Sequence, residues 1–206
     1  KSMALLAGKS LLQHVIERCK EIQVPKNADK LIIVAVPDVN ESEPMLELAY
    51  KLGGVENFCA SEENVLERYY FAAQYFKTNV IMRITGDCPL INPIVCSEVL
   101  DLLLWRKCDY TSNIYPKRTY PKGLDCECFS YECLEATYIK VMEEYNKYIS
   151  TDGAIIKGGL PLYKETYDLE HVTPFMQRHP EIKKALVSQK QNRSQQNLCV
   201  DVPSDI

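Results

Sequence analysis

Residues 79–93 read Asn79-Val80-Ile81-Met82-Arg83-Ile84-Thr85-Gly86-Asp87-Cys88-Pro89-Leu90-Ile91-Asn92-Pro93. The first part is a short run of β-formers. Asn92-Pro93 has the form of a helix start, an N-cap side chain followed by proline at the first helical position. The Asp87 carboxylate therefore falls where a buried strand stops and the chain turns toward a helix. In α/β sheets that edge, outside the carboxyl ends of the strands, is where ligands bind. Gly86 lets the backbone bend there or approach a ligand closely.

Upstream, the pattern alternates. Ser10 reads as an N-cap, and Leu11, Leu12, Val15, Ile16 and Cys19 then fall on one helical face, with Gln13, Glu17 and Lys20 outside. Residues 30–36 (KLIIVAV) form a continuous apolar strand of the kind buried on both faces. Residues 44–52 read as a helix ended by Gly53-Gly54, and residues 55–60 as a short strand. Ser61 is expected to cap a helix with its body over 64–76. The strand 79–85 and a helix over 93–105 follow. This α-β-α-β-α-β-α order implies an α/β fold with parallel strands joined by right-handed crossovers and helices on both sheet faces. A pattern of this type normally begins with a strand, so a strand and its loop are expected to be missing before Lys1. Gly8-Lys9-Ser10 looks like the end of a phosphate-binding P-loop but fails the test, because GxxxxGK[ST] needs glycine where Met3 stands.

Downstream, the chain is less regular. Residues 109–113 read as a short strand, 114–122 as a tyrosine-rich loop with Pro116 and Pro121, 124–129 as a strand and 131–148 as a helix. A loop or excursion is expected over 151–167, a helix over 168–178, a strand over 185–189 and a polar turn to 197. A final strand over 198–203 ends, like the one before Asp87, at a carboxylate, Asp201. Without repeats or a defensible internal boundary, residues 1–206 read as a single domain with a less regular region about 114–170.

Composition narrows the function classes. With 24 basic and 28 acidic residues the net charge is -4, so no basic field for nucleic acid and no polybasic membrane patch exist. No apolar run approaches the ~18 residues of a membrane span. The nine cysteines are scattered, form no CxxC pair, and share no zinc-like spacing with His14, His171 or His179. Cys126 and Cys128 alternate on a strand and would point the same way. A metal or redox pair there competes with buried free thiols, which is the more economical reading and suits a reducing cytoplasm.

Four constellations could carry chemistry. If the strands before Asp87 and Asp201 lie side by side, their carboxylates converge and suit a hard divalent cation completed by phosphates and waters. Equally, each aspartate stands before or near a proline and could simply cap a turn. Asp125 and Glu127, at i and i+2, would share one strand face and could grip sugar hydroxyls or be solvated. Glu170-His171, at an expected helix start, and Ser61-Glu62-Glu63, an expected N-cap, complete the set.

Taken in order, Ser61-Glu62-Glu63-Asn64-Val65-Leu66-Glu67-Arg68-Tyr69, Arg83 through Ile91, Asp109-Tyr110-Thr111-Ser112-Asn113, Tyr120-Pro121-Lys122-Gly123-Leu124-Asp125-Cys126-Glu127-Cys128-Phe129, Glu170-His171-Val172-Thr173-Pro174 and Val200-Asp201-Val202-Pro203-Ser204-Asp205 resemble the spore-coat polysaccharide biosynthesis F-type cytidylyltransferases. These are relatives of the synthetases that make CMP-3-deoxy-manno-octulosonate and CMP-sialic acid. The resemblance covers nearly the whole chain. It implies a Rossmann-like three-layer nucleotidyltransferase fold with a mostly parallel central sheet, CTP as donor, magnesium as cofactor, an acidic sugar as acceptor and a possible homodimer. It also implies roles. Asp87 and Asp201 match the metal aspartates. Lys1, Ser61, Glu62 and Arg83 match the nucleotide side. Tyr120, Gly123, Asp125, Glu127, Glu170 and His171 match the acceptor side. Family members open with a strand and a Gly- and Arg-containing loop ending in Pro-Gly-Lys. Here only Lys1 stands at the place of that motif's lysine.

The implied reaction is in-line attack of an acceptor oxygen on the α-phosphorus of CTP with release of pyrophosphate, assisted mainly by positioning and electrostatics. Two other classes remain open on sequence alone. A nucleotide-sugar glycosyltransferase would favour a DxD metal motif, for which Asp125-Cys126-Glu127 is the nearest match. A non-catalytic homologue would bind a sugar, a nucleotide or a protein partner.

Overall fold

The structure is a computed structural model that describes residues 1–152, 164–200 and 205. A hairpin opens it. Strands β1 (Leu5–Leu6) and β2 (Lys9–Ser10) pair antiparallel across Ala7 and Gly8, both at positive φ (49° and 83°), as a two-residue type I′ turn requires. No strand was expected in this stretch, since two-residue strands leave no readable periodicity. Helix α1 (Leu11–Glu21) follows as expected. The Ser10 hydroxyl accepts from the Gln13 N–H at 3.1 Å, and Leu11, Leu12, Val15 and Ile16 are buried.

The expected alternation continues through β3 (Ile33–Pro37), α2 (Glu43–Leu52), β4 (Glu56–Ala60), α3 (Val65–Tyr75), β5 (Val80–Arg83) and α4 (Pro93–Arg106). The Asn92 side chain caps α4, accepting from the N–H groups of Ile94 and Val95 at 2.9 and 3.4 Å. One cap differs from expectation. Asn64, not Ser61, caps α3 by accepting from Glu67 N–H at 2.9 Å, while Ser61 Oγ accepts from Asn64 N–H at 3.1 Å and shapes the preceding turn.

Strands β3 and β4 pair in parallel. Strands β5, β6 (Tyr110–Ser112), β7 (Glu127–Ser130) and β8 (Lys184–Leu186) form a four-stranded sheet in the order β5-β7-β6-β8. β6 and β8 are parallel, whereas β7 is antiparallel to both β5 and β6. Strands β5, β6 and β8 thus run one way and β7 alone runs against them. The reversal puts the first residue of β7, Glu127, in register with the last residues of β5 and β6, Arg83 and Ser112.

Helices cover both faces of this sheet, as the α/β class requires. On one face, α3, α5 (Tyr131–Asp152), α6 (Lys164–His171) and α7 (Pro174–Arg178) bury Leu66, Tyr110, Phe129, Leu134, Val141 and Met176. On the other, α4 buries Cys96, Val99 and Leu103 against Cys126 and Cys128. A third cluster packs α1 and α2 on β3 through Leu12, Ile16, Val34, Val36 and Ala49. All nine cysteines are unbridged thiols, and Cys126 and Cys128 are core residues, the economical reading.

Three expectations need correction. The helix expected over 168–178 is two, α6 and α7, broken where Val172 takes φ 69°. The excursion expected over 151–167 is narrower, because α5 runs to Asp152 and α6 starts at Lys164, and residues 153–163 lie outside the described residues. Residues 198–200 belong to no strand, although a bridge joins Asn197 to Lys122. Asp201 and the rest of that expected strand lie outside the described residues. Among the described residues, no helix is long and apolar enough to cross a membrane.

Candidate active site

Asp87 follows β5, as the sequence predicts. The close approach that Gly86 permits is to the start of the chain, since a Cβ there would lie 3.2 Å from Ser2 Oγ. That approach brings Lys1 to Asp87, with Nζ donating to Oδ2 at 3.0 Å. Burial pushes the Asp87 carboxyl up, but hydrogen bonds from Thr85, Lys1 and Cys88 outweigh it and hold the group below its usual range. It is a carboxylate at neutral pH. The backbone carbonyl of Asp87 accepts from Val200 N–H at 3.1 Å, and Cys88 Sγ lies 3.6 Å from Cys199 Sγ. The segment that continues into Asp201 therefore runs beside Asp87 as far as Val200.

The loop around Tyr120 is fastened to the same segment. Lys122 N–H donates to Gln196 C=O at 3.0 Å, and Leu198 N–H donates to Lys122 C=O at 2.8 Å. Gly123 has φ 91°, and a Cβ on it would fall 2.5 Å from the Leu198 carbonyl carbon, so only glycine fits. Tyr120 is buried. Asp125 is taken by Arg118, whose guanidinium grips both carboxylate oxygens, with Nη2–Oδ2 at 2.8 Å. Asn113 braces the far side, its Oδ1 accepting from Cys126 N–H at 2.9 Å and its Nδ2 donating to the Leu124 carbonyl.

Asp125 and Glu127 do not act as one pair, contrary to the i, i+2 reading. Strand β7 begins only at Glu127, so Asp125 is outside the pleat. Glu127 is 1% exposed. Its Oε2 accepts from Arg83 Nη1 at 2.9 Å, and its Oε1 accepts from the Tyr110 hydroxyl at 2.5 Å and from Gln177 Nε2 at 3.1 Å. Burial opposes the Arg83 charge, but Tyr69 and Glu127 beside it raise its pKa above the ordinary value. Burial also pushes the Tyr110 hydroxyl well up, with the Glu127 charge adding to it. The network joins the end of β5 to α7. Tyr110 lies inside a recognised motif, but Arg118 and Gln177 stand in stretches without pattern and were missed.

Ser61 and Glu62 occupy the turn between β4 and α3, at the carboxyl end of β4. The Ser61 carbonyl accepts from Arg68 Nη1 at 2.8 Å, and Glu62 is exposed. Glu170 and His171 lie at the end of α6, not at a helix start. The His171 ring packs edge-on against Tyr167 with centroids 4.2 Å apart, and Glu170 is exposed. The acid fixed in this helix is the buried Asp168, which holds the Arg178 guanidinium.

Two groupings result. One gathers Lys1, Asp87 and residues 199–200. The other gathers the loop about Tyr120, Gly123 and Asp125 on residues 193–198. They share one connecting segment, residues 193–200, so the strand-end loop that carries Asp87 and the loop about Tyr120 form a single unit.

Comparison with known proteins agrees with this architecture. Residues 1–206 match the sequence model of the Cytidylyltransferase family. An uncharacterised protein of Methanocaldococcus jannaschii is 30% identical over 182 residues, covering 88% of this chain and 62% of that protein, so the chain spans under two thirds of that relative's length. The spore coat polysaccharide biosynthesis protein SpsF of Bacillus subtilis is 23% identical across all of this chain and 76% of its own length. A 3-deoxy-manno-octulosonate cytidylyltransferase of Geobacter metallireducens is 31% identical over 101 residues, which is 48% of this chain and 37% of that enzyme. Among solved structures, a cytidylyltransferase from Leptospira borgpetersenii superposes over the whole chain and 76% of its own with TM-score 0.80 at 24% identity. A CMP:2-keto-3-deoxy-manno-octonic acid synthetase complexed with CTP superposes over 99% of this chain and 87% of its own with TM-score 0.60 at 15% identity.

Proposed function

The chain belongs to the cytidylyltransferase family, and from that premise we propose that it transfers a cytidylyl group from CTP to a sugar acceptor, an acidic sugar in particular, in surface polysaccharide or glycan synthesis. An acceptor oxygen attacks the α-phosphorus in line, the bond to the bridging oxygen breaks, and pyrophosphate leaves. The observation that carries this reading is the Val200–Asp87 hydrogen bond. It brings the segment before Asp201 alongside a charged, partly exposed carboxylate at the strand end where α/β folds bind ligands.

Asp87 and Asp201 would hold magnesium. Magnesium takes one or two carboxylates and completes its octahedron with phosphates and waters, a demand that two aspartates meet. When bound, the ion supplies charge neutralisation at the phosphates. The protein's own part is positioning. Thr85, Lys1 and Cys88 keep Asp87 ionised, and Lys1 supplies a cation beside the phosphates. Arg83 and the Ser61-Glu62 turn line the nucleotide side. The region about 114–170, with Tyr120, Gly123 and Asp125, and the Glu170-His171 pair serve the acceptor and a homodimer contact. Nine unbridged thiols suit a cytoplasmic setting.

The test is a pyrophosphate-release screen of each nucleoside triphosphate against acidic sugars and sugar phosphates, with magnesium present or chelated. Release that needs CTP, an acceptor and magnesium supports the proposal. Transfer from a nucleotide-sugar without pyrophosphate, or no magnesium-dependent CTP binding by calorimetry, overturns it. The glycosyltransferase alternative is the weaker one, because Asp125 is bound to Arg118 and Glu127 is buried against Arg83.

A further inference from the structure

Cys88 and Cys199 stand 111 positions apart in the chain, yet their sulfurs are 3.6 Å apart. Both segments are already fixed next to each other, since Val200 N–H is bound to the Asp87 carbonyl and Leu198 N–H to that of Lys122. A disulfide needs sulfurs about 2.05 Å apart, so a closure of about 1.5 Å remains, a distance that side-chain rotation covers when the backbones are neighbours. Access is asymmetric, with Cys88 buried and Cys199 half-buried. Cys96, Cys126 and Cys128 also lie together, but inside the core between α4 and the sheet, sealed from solvent.

We propose that Cys88 and Cys199 form an oxidation site that a peroxide converts to a disulfide, fastening the segment before Asp201 to the loop that carries Asp87. The Cys199 sulfur attacks one peroxide oxygen, the O–O bond breaks, and the first water forms as Cys199 becomes a sulfenic acid. The Cys88 sulfur then attacks the Cys199 sulfur. The S–O bond breaks, and the hydroxyl leaves as a second water with the Cys88 thiol proton. Two thiols are oxidised and one hydrogen peroxide is reduced to two waters. In a reducing compartment the pair stays a dithiol, and the bond forms only under oxidative challenge. The site rests on the two sulfurs and their backbone ties, independently of the cytidylyl-transfer reading.

The experiment treats the intact protein with a few equivalents of hydrogen peroxide, blocks remaining thiols by alkylation, and maps disulfides by mass spectrometry after digestion. The expected result is a peptide pair joined through Cys88 and Cys199, two fewer titratable thiols in denaturant, and full reversal by dithiothreitol. In Cys199→Ser, Cys88 stays reduced under the same treatment. Oxidation of Cys199 to sulfinic or sulfonic acid with Cys88 still a thiol, or a bond from Cys88 to a different cysteine, overturns the proposal. The wild-type map decides alone if the variant fails to fold.

Discussion

Val200 donates its backbone N–H to the carbonyl of Asp87 at 3.1 Å, joining the end of the chain to the strand-end loop in its middle. The carboxylate of Asp87 is thereby anchored from the backbone while its side chain stays with Lys1. Asp87→Asn keeps the shape and removes the charge. Turnover in a pyrophosphate-release assay is expected to fall by about 10²-fold or more, the scale of losing a preorganised charge-stabilising group. Near-normal turnover would remove Asp87 from the mechanism.

Acid should reveal the same carboxylate. Its folded pKa is depressed by Thr85, Lys1 and Cys88 against the opposing effect of burial. A depressed folded value contributes stability that is complete above the unfolded pKa of about 4 and is lost as pH falls through the folded value. In urea titrations, any stability advantage of wild type over Asp87→Asn that comes from this ionisation is expected to narrow below about pH 4. A gap that widens with acid contradicts the sign.

Gly123→Ala places a methyl 2.5 Å from the Leu198 carbonyl carbon in a left-handed backbone. A loss of about 1–3 kcal/mol is expected in chemical denaturation. Because Leu198–Val200 leads to Asp87, turnover should fall further than stability alone explains under conditions where the variant is fully folded.

Glu127→Ala leaves the Arg83 guanidinium buried without its carboxylate. A cost of about 3–5 kcal/mol is expected, since breaking a buried pair is worse than lacking one. Replacing both as Arg83→Met with Glu127→Met should recover much of the loss, with the coupling read from a double-mutant cycle. Additive effects would show that the 2.9 Å contact carries little energy.

Arg118→Ala frees Asp125 and loosens the loop before β7. If that loop serves the acceptor, KM for the acceptor is expected to rise about tenfold or more with KM for CTP nearly unchanged, because a mobile loop must be ordered again on binding. Equal changes in both would place the loop elsewhere.

Local chemistry made much of this structure readable. The Ser10 and Asn92 caps, the stripe of Leu11, Leu12, Val15 and Ile16, and the apolar run before Pro37 each carry a short-range signal, and each element formed near its expected place. The features that escaped are set by tertiary contact. Strand β7 has only four residues, and nothing in them states which way they run. Val172 breaks a helix at φ 69° with a β-branched side chain, where a sequence reader looks for glycine. Ser61 and Asn64 are both good cap residues, and the choice between them depends on where the turn from β4 delivers the chain. In the site, Asp87 and Gly123 were legible from strand-end and motif position. Arg118, which holds Asp125, and Gln177, which reaches Glu127, were not, because a hydrogen-bond partner in a stretch without pattern leaves no periodic trace.

The reversed strand has one more consequence. Side chains on a strand alternate faces, so sliding β7 by a single residue would present a cysteine, Cys126 or Cys128, where Glu127 meets Arg83. The guanidinium would then face a thiol, and the carboxylate would enter the apolar layer under α4. Both errors are costly, and neither neighbouring strand could relieve them. The buried ion pair therefore serves as a key to alignment, selecting one pairing of β7 with β5 and β6 out of those the short strand would otherwise accept.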